Sequence, residues 1–139
     1  MYIYKAKVLR VVDGDTIDLL IDLGFNAWKK ERIRLSGINT PETRTKDLKE
    51  KEKGLLAKKR LNNLINSSNK KVLVKTTEKG KYGRYLGDIY ITGYISDPKA
   101  EEFPRSFGRT DFESDSDYYC ANDILLIEGH AEEYFGGKR

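Results

Sequence analysis

Over the first third of the chain, short apolar runs alternate with polar positions. Residues 4–12 carry Val8, Val11 and Val12, β-branched mass that favours an extended strand. Asp13-Gly14-Asp15 interrupts the run as a turn. Ile17, Leu19 and Ile21 then alternate with Thr16, Asp18 and Asp22, the period-two pattern of a strand with one face in a core. Gly24-Phe25-Asn26 is turn material. Ile33 and Leu35 alternate with Arg32 and Arg34 in a third strand that stops at Gly37. Trp28 falls in the polar turn before that strand and reads as a packing residue rather than an exposed lid. The opening pattern predicts a three-stranded meander.

The period changes over residues 47–66. Leu56, Ala57, Leu61, Leu64 and Ile65 share one face at helical spacing, with Lys49, Lys53, Lys58, Lys59 and Arg60 elsewhere on the helix. Asn66-Ser67-Ser68-Asn69 ends it. Val72 and Val74 mark a fourth strand, and Leu86, Ile89, Tyr90 and Ile91 a fifth, separated by the glycine-flanked loop at 79–84. Residues 96–121 show little periodicity, carry two prolines and are rich in acidic side chains. A stretch this long without periodic pattern is uncommon in a compact domain. Asn122 then caps a short helix whose apolar side is Ile124, Leu125 and Ile127, and Gly129 ends it. Five strands, a helix between the third and fourth, and a short C-terminal helix predict an α+β fold, a small OB-type β-barrel.

Composition narrows the picture. The chain has 139 residues, enough for one domain over residues 1–139, with the acidic stretch as an insertion or long loop. No run approaches the ~18 apolar residues of a membrane helix. No secretory signal is visible, so an intracellular protein is expected. One cysteine, Cys120, excludes an internal disulfide and a multi-cysteine zinc site. Cys120 reads as an inert thiol, and the single histidine, His130, as a surface or packing residue. A metal here takes mainly oxygen ligands, which points to calcium or magnesium. The net charge of +4 is unevenly spread. Residues 1–96 carry 21 Lys and Arg against 11 Asp and Glu, and residues 97–139 carry 5 against 11. A basic body suggests a polyanionic partner.

Three segments carry residue types that packing does not explain well. In Asp13-Gly14-Asp15-Thr16, glycine permits a sharp path that turns a carboxylate into a cleft, although an ordinary Asp-Gly turn has the same sequence. In Arg34-Leu35-Ser36-Gly37-Ile38-Asn39-Thr40-Pro41-Glu42-Thr43, Pro41 stiffens the path presenting Asn39, the Thr40 carbonyl and Glu42. All three are oxygen donors for a hard cation, and the same stretch would also serve to cap a helix. Lys81-Tyr82-Gly83-Arg84 combines cations for phosphates with an aromatic face for a base, or forms a solvated hairpin tip.

Together, in this order, the three segments resemble the staphylococcal nuclease (thermonuclease) family: Asp-Gly-Asp-Thr, then Arg-Leu-x-Gly-Ile-(Asp/Asn)-Thr-Pro-Glu, then Tyr-Gly-Arg. Residues 122–131 resemble that family's helix after the barrel. The resemblance covers about residues 5–95 and 121–135. It implies a five-stranded OB barrel and calcium-dependent hydrolysis of phosphodiesters in DNA and RNA, giving 3′-phosphate and 5′-hydroxyl ends. By matching positions it implies Asp15 and the Thr40 carbonyl as calcium ligands, with Asn39 where a well-known member has aspartate. The amide removes one negative charge, which weakens cation binding and leaves another divalent cation open. Asp13 is implied as a nearby acidic residue behind the ligands. Arg34 and Arg84 match the catalytic arginines and Glu42 the general base. Lys81 and Tyr82 match substrate-contacting positions, and Tyr134 or Phe135 offers a further stacking wall. DNA and RNA are the implied substrates, with little sequence preference and no membrane partner, and a monomer is the expected state. The competing reading is a non-catalytic OB module that binds single-stranded nucleic acid or a protein partner. The acidic stretch reads as a solvated loop or as a gate over the cleft.

Overall fold

The computed structural model describes residues 2–79, 85–91 and 118–134. Three strands open the chain: β1 (Ile3–Asp13), β2 (Thr16–Asp22) and β3 (Trp28–Leu35), each antiparallel to the next. A two-residue strand β4 (Ile38–Asn39) precedes helix α1 (Leu48–Ser67). Strands β5 (Lys71–Lys79) and β6 (Tyr85–Ile91) follow, then β7 (Tyr119–Cys120), helix α2 (Ala121–Ile127) and β8 (Glu132–Glu133). The main sheet runs β3-β2-β1-β5-β6-β7. A parallel pairing of Ile33, Arg34 and Leu35 with Tyr85, Leu86 and Gly87 joins β3 to β6 and closes five strands into a barrel. Closure leaves those five strands no long unpaired edge.

The strands form where the alternation demands. Ile17, Leu19 and Ile21 on β2 point inward with Ile33 and Leu35 on β3 and Val74 on β5. Fully burying each such side chain contributes about 1.5–3 kcal/mol. Helix α1 begins at Asp47, whose Oδ1 accepts the Lys49 and Glu50 amide hydrogens at 3.0 and 3.3 Å. It lays Gly54, Ala57, Leu61, Leu64 and Ile65 against the barrel.

Three sequence expectations change. Trp28 is the first residue of β3 rather than part of the turn, and its ring is 46% exposed with Lys7 Nζ 5.3 Å from its centroid. Leu56 is exposed, because it lies off the buried stripe of Gly54, Ala57, Leu61, Leu64 and Ile65. Asn122 does not cap α2. The cap position is Cys120, with no side-chain cap hydrogen bond, and Asn122 is instead buried between α2 and the barrel. Its Oδ1 accepts the Ile89 amide hydrogen at 3.1 Å, and its Nδ2 donates to the Ser36 carbonyl at 2.9 Å and the Gly87 carbonyl at 3.3 Å. Backbone groups next to the barrel closure thus acquire partners, which buried polar groups require. On the far side of α2, Arg60 grips both carboxylate oxygens of Glu128 at 2.6 and 2.8 Å and ties the two helices. No helix among the described residues is long and apolar enough to cross a membrane.

Candidate active site

The β1–β2 turn is the first element of the site. The register between β1 and β2 slips between Val11 and Asp13, a bulge that re-aims the strand end. Gly14 sits where a Cβ would lie 2.8 Å from the Ala57 Cβ and 3.0 Å from the Thr40 Oγ1. Only a residue without a Cβ lets the turn lie down between α1 and Thr40. This directs Asp15 inward, where it is 6% exposed. Its Oδ1 accepts from the Thr16 hydroxyl at 3.0 Å and its Oδ2 from the Thr40 amide at 3.1 Å. The Asp15 carbonyl accepts the Leu35 amide hydrogen at 2.8 Å and fixes the turn against β3.

Arg34 arrives from β3. Its neighbours Ile33 and Leu35 enter the core, so alternation sends Arg34 to the opposite face, in register with Thr16. Its Nη2 donates to Asn39 Oδ1 at 2.5 Å and lies 3.6 Å from Asp15 Oδ2. The guanidinium carbon stands 5.0 Å from the Tyr134 ring centroid, a cation–π contact. Tyr134 is held there by its amide hydrogen bond to the Gly37 carbonyl and by the β4–β8 pairing that precedes it. The Arg34 and Asp15 side chains are only 15% and 8% exposed, so their attraction is screened far less than that of a surface pair.

The Pro41-Glu42 loop completes this edge. A Cβ on Gly54 would stand 2.6 Å from the Pro41 carbonyl oxygen and 2.7 Å from that of Glu42. The loop therefore rests directly on the helix backbone. Glu42 itself is exposed. Asp13 accepts a hydrogen bond from the Thr43 hydroxyl, so it links the turn to the loop behind the Asp15 carboxylate.

Asp13, Asp15, Arg34, Asn39, Thr40 and Glu42 therefore come from four separate segments and meet along one edge of the barrel. Lys81, Tyr82 and Arg84 lie outside the described residues, as do Phe135 and the acidic stretch up to residue 117. Sequence reasoning missed Gly54 and assigned Tyr134 differently. Glycine in a helix interior is destabilising relative to alanine, so a glycine at position 54 was itself a signal of close backbone approach. Tyr134 packs on the arginine rather than standing as a separate wall. Cys120 is buried, and desolvation together with the nearby Asp123 charge pushes its thiol well above the usual range. It is not poised as a nucleophile.

Among the described residues no three His, Cys, Asp or Glu side chains gather into a cation cluster. The donors that do converge are one carboxylate and neutral oxygens. Asp15 Oδ2 and Asn39 Oδ1 both face the same Arg34 nitrogen, so a bound cation would have to share these oxygens with the guanidinium. That donor chemistry fits a hard cation of modest affinity.

A closed five-stranded barrel with an Asp, an Arg and a Pro-Glu loop on one edge defines an OB-type protein of the nuclease-like class. The chain belongs to the staphylococcal nuclease homologue family, whose model matches residues 32–135. It is 32% identical over 87 residues to the protein ParB of Escherichia coli, covering 63% of this chain and 42% of that protein. It is 33% identical over 87 residues to a micrococcal nuclease of Shigella flexneri, with the same shares of 63% and 42%. A Methanocaldococcus jannaschii protein of uncharacterized function, MJ1439, is 36% identical over 110 residues, covering 63% of this chain and 49% of its own length. The chain thus spans less than half the length of these relatives.

Proposed function

We propose that this protein is a metal-dependent nuclease, with calcium the expected cation, that hydrolyses phosphodiester bonds of DNA and RNA with little sequence preference. Products carry a 3′-phosphate and a free 5′-hydroxyl. The observation that carries this reading is the convergence of Arg34, Asp15 and Asn39 on one half-buried point, in a chain of the staphylococcal nuclease homologue family.

Asp15, the Asn39 amide oxygen and the Thr40 carbonyl would hold the cation. When bound, it supplies positive charge for a phosphoryl oxygen and lowers the pKa of nearby water. Arg34 presents a planar, permanently charged donor pair to the equatorial oxygens, where negative charge accumulates in the transition state. Tyr134 and Asn39 restrict its rotamers before substrate arrives, so little reorganisation is needed. Glu42 stands at the exposed lip of the site and accepts the proton of the attacking water at a carboxylate oxygen. The water oxygen bonds to phosphorus, the bond from phosphorus to the 5′-oxygen breaks, and that oxygen takes a proton from solvent water as it leaves. Arg84, assigned by its Tyr-Gly-Arg motif, supplies a second guanidinium to the same charge.

The test is digestion of single- and double-stranded DNA with calcium, magnesium, manganese or a chelator, with Arg34→Ala as the contamination control. Calcium-dependent cutting that disappears in the variant is expected. Cutting with another cation alone makes Asn39 decisive, and Asn39→Asp should then restore calcium use. Salt-sensitive DNA binding with no cutting under any cation would replace this reading by the non-catalytic OB module.

A further inference from the structure

The barrel exterior carries a second polar surface that the proposed catalytic edge does not use. In strand register, Lys71 stands beside Lys7, Lys7 beside Leu20, and Leu20 beside Lys30. In a neighbouring row Leu73 stands beside Lys5, and Asp22 beside Trp28. The inward residues of the same strands, Ala6, Ile21 and Val72, are buried, so these rows face outward. Between them lies a cleft of about 440 Å³ whose walls include Lys5, Lys7, Lys71, Trp28 and Tyr118. Among the described residues the one carboxylate in its lining, Asp22, accepts the Gly24 amide hydrogen at 2.8 Å and serves the hairpin turn. The cleft is therefore basic, with an exposed indole at its rim.

The adjoining hairpin tip strengthens the observation. Phe25 is fully exposed and has φ of +55°, a backbone region that bulky side chains rarely adopt. Neither burial nor backbone preference explains a phenylalanine there. It adds an exposed aromatic ring three residues from Trp28.

We propose that this cleft is an auxiliary binding site for single-stranded nucleic acid, with unpaired bases stacking on Trp28 and phosphates meeting Lys5, Lys7 and Lys71. Cations with interleaved aromatic faces suit a strand of any sequence, because every base has a π-face. Lys7 already stands over the indole, so a phosphate drawn to Lys7 brings its base to the ring. Lys7 and Asp13 are six residues apart on β1, a separation of ~20 Å at the strand rise. About six nucleotides of stacked strand, at ~3.4 Å each, span that distance. One bound strand therefore reaches from the cleft to the Asp13–Asp15 turn. The site anchors substrate away from the scissile bond and favours long strands over short ones. This inference rests on the nuclease reading for the identity of the polyanion.

Trp28 is the sole tryptophan, so its fluorescence reports the cleft directly. Wild-type protein in chelator is titrated with a labelled oligo(dT) 20-mer, following tryptophan emission and label anisotropy together. Saturable quenching in step with the anisotropy is expected. Replacing Lys5, Lys7 and Lys71 with Gln should weaken binding at least tenfold and flatten the salt dependence by about two logarithmic units per decade. Trp28→Phe should bind nearly as wild type, and Trp28→Ala about tenfold more weakly. Cutting of a four-nucleotide substrate should be unaffected by the lysine replacements.

Binding with unquenched Trp28, and unchanged affinity in the lysine variant, would overturn the auxiliary site and leave the nuclease reading intact. A Trp28 response to anionic phosphatidylserine vesicles but not to oligo(dT) would assign the cleft to a membrane and overturn the proposal. Absence of both binding and cutting would remove the nuclease reading along with it.

Discussion

Two buried polar clusters adjoin the end of β3, and they are built in opposite ways. At the first, Arg34 meets Asp15 and Asn39 with formal charges, and its side chain keeps 15% of its surface open. At the second, starting at Ser36, the neutral Asn122 is sealed at 3% exposure. It serves the Ile89 amide, two carbonyls and the Asp88 carboxylate. The Ser36 hydroxyl donates to Asp88 at 2.5 Å and closes the same network. A saturated neutral amide has no capacity left for a ligand and holds α2 to the barrel. A guanidinium with part of its surface open keeps its charge available to an anionic ligand. Similar burial thus anchors a helix in one cluster and leaves an accessible charge in the other.

Three substitutions sharpen that contrast. Arg34→Ala should lower the rate of DNA hydrolysis by about 10²–10³-fold, the scale of removing one preorganised donor. Arg34→Lys should cost at least ~10²-fold, because lysine lacks the bidentate fork. Thermal unfolding of Arg34→Lys, which keeps a positive charge beside Asp15, should stay near wild type, and a loss under tenfold for it would end the assigned role. Asn122→Ala should do the reverse, removing about 2–3 kcal/mol of stability by stranding buried partners. A melting temperature lower by about 10 °C is the expected readout, with hydrolysis per folded molecule preserved.

Gly54→Ala tests the seat of the Pro41-Glu42 loop on α1. Its Cβ would collide with the Pro41 and Glu42 carbonyls, which are backbone and cannot swing aside. A loss of about 1–3 kcal/mol is expected from overpacking. Hydrolysis should fall as well, because Thr40 and Glu42 move with the loop. Unchanged activity would show that the loop's seat on α1 does not position the site.

The smallest effect concerns Asp123, one residue beyond the Asn122 anchor. Burial, then repulsion from Asp88, raises its carboxyl above the ordinary value of 3.8, against a lowering contribution from its hydrogen bond with Cys120. A raised carboxyl favours folding in its protonated form. That stability is present below about pH 3.8 and is lost as pH rises through the folded-state value. Asp123→Asn should therefore match wild type in urea midpoint at pH 3 and exceed it at pH 7. Equal midpoints at pH 7 would place Asp123 in an environment no more costly than water.

Much of this was legible along the chain. The β2 alternation located Ile17, Leu19 and Ile21 in the core, because a strand has only two faces and only one is apolar. Asp15, Arg34, Asn39, Thr40 and Glu42 stood out because short motifs carry local chemistry. Tyr134 and Asn122 did not. Their roles depend on partners about 100 and 33 residues away, at Arg34 and Ile89, and no local pattern encodes such contacts. Leu56 and Gly54 were hidden for the same reason: helical spacing shows a face, and only the packed structure shows which residues at its margins touch.

By itself the sequence determined the order of elements, the inward face of each strand and the residue types on the candidate site's edge, since periodicity and motif chemistry act over a few residues. Only the tertiary structure decided that Arg34 shares one point with Asp15 and Asn39, that Asn122 seals a seam instead of capping a helix, and that Lys7, Lys71 and Trp28 line one cleft. Each is set by barrel closure and strand register, which bring distant segments together at distances that no linear pattern contains.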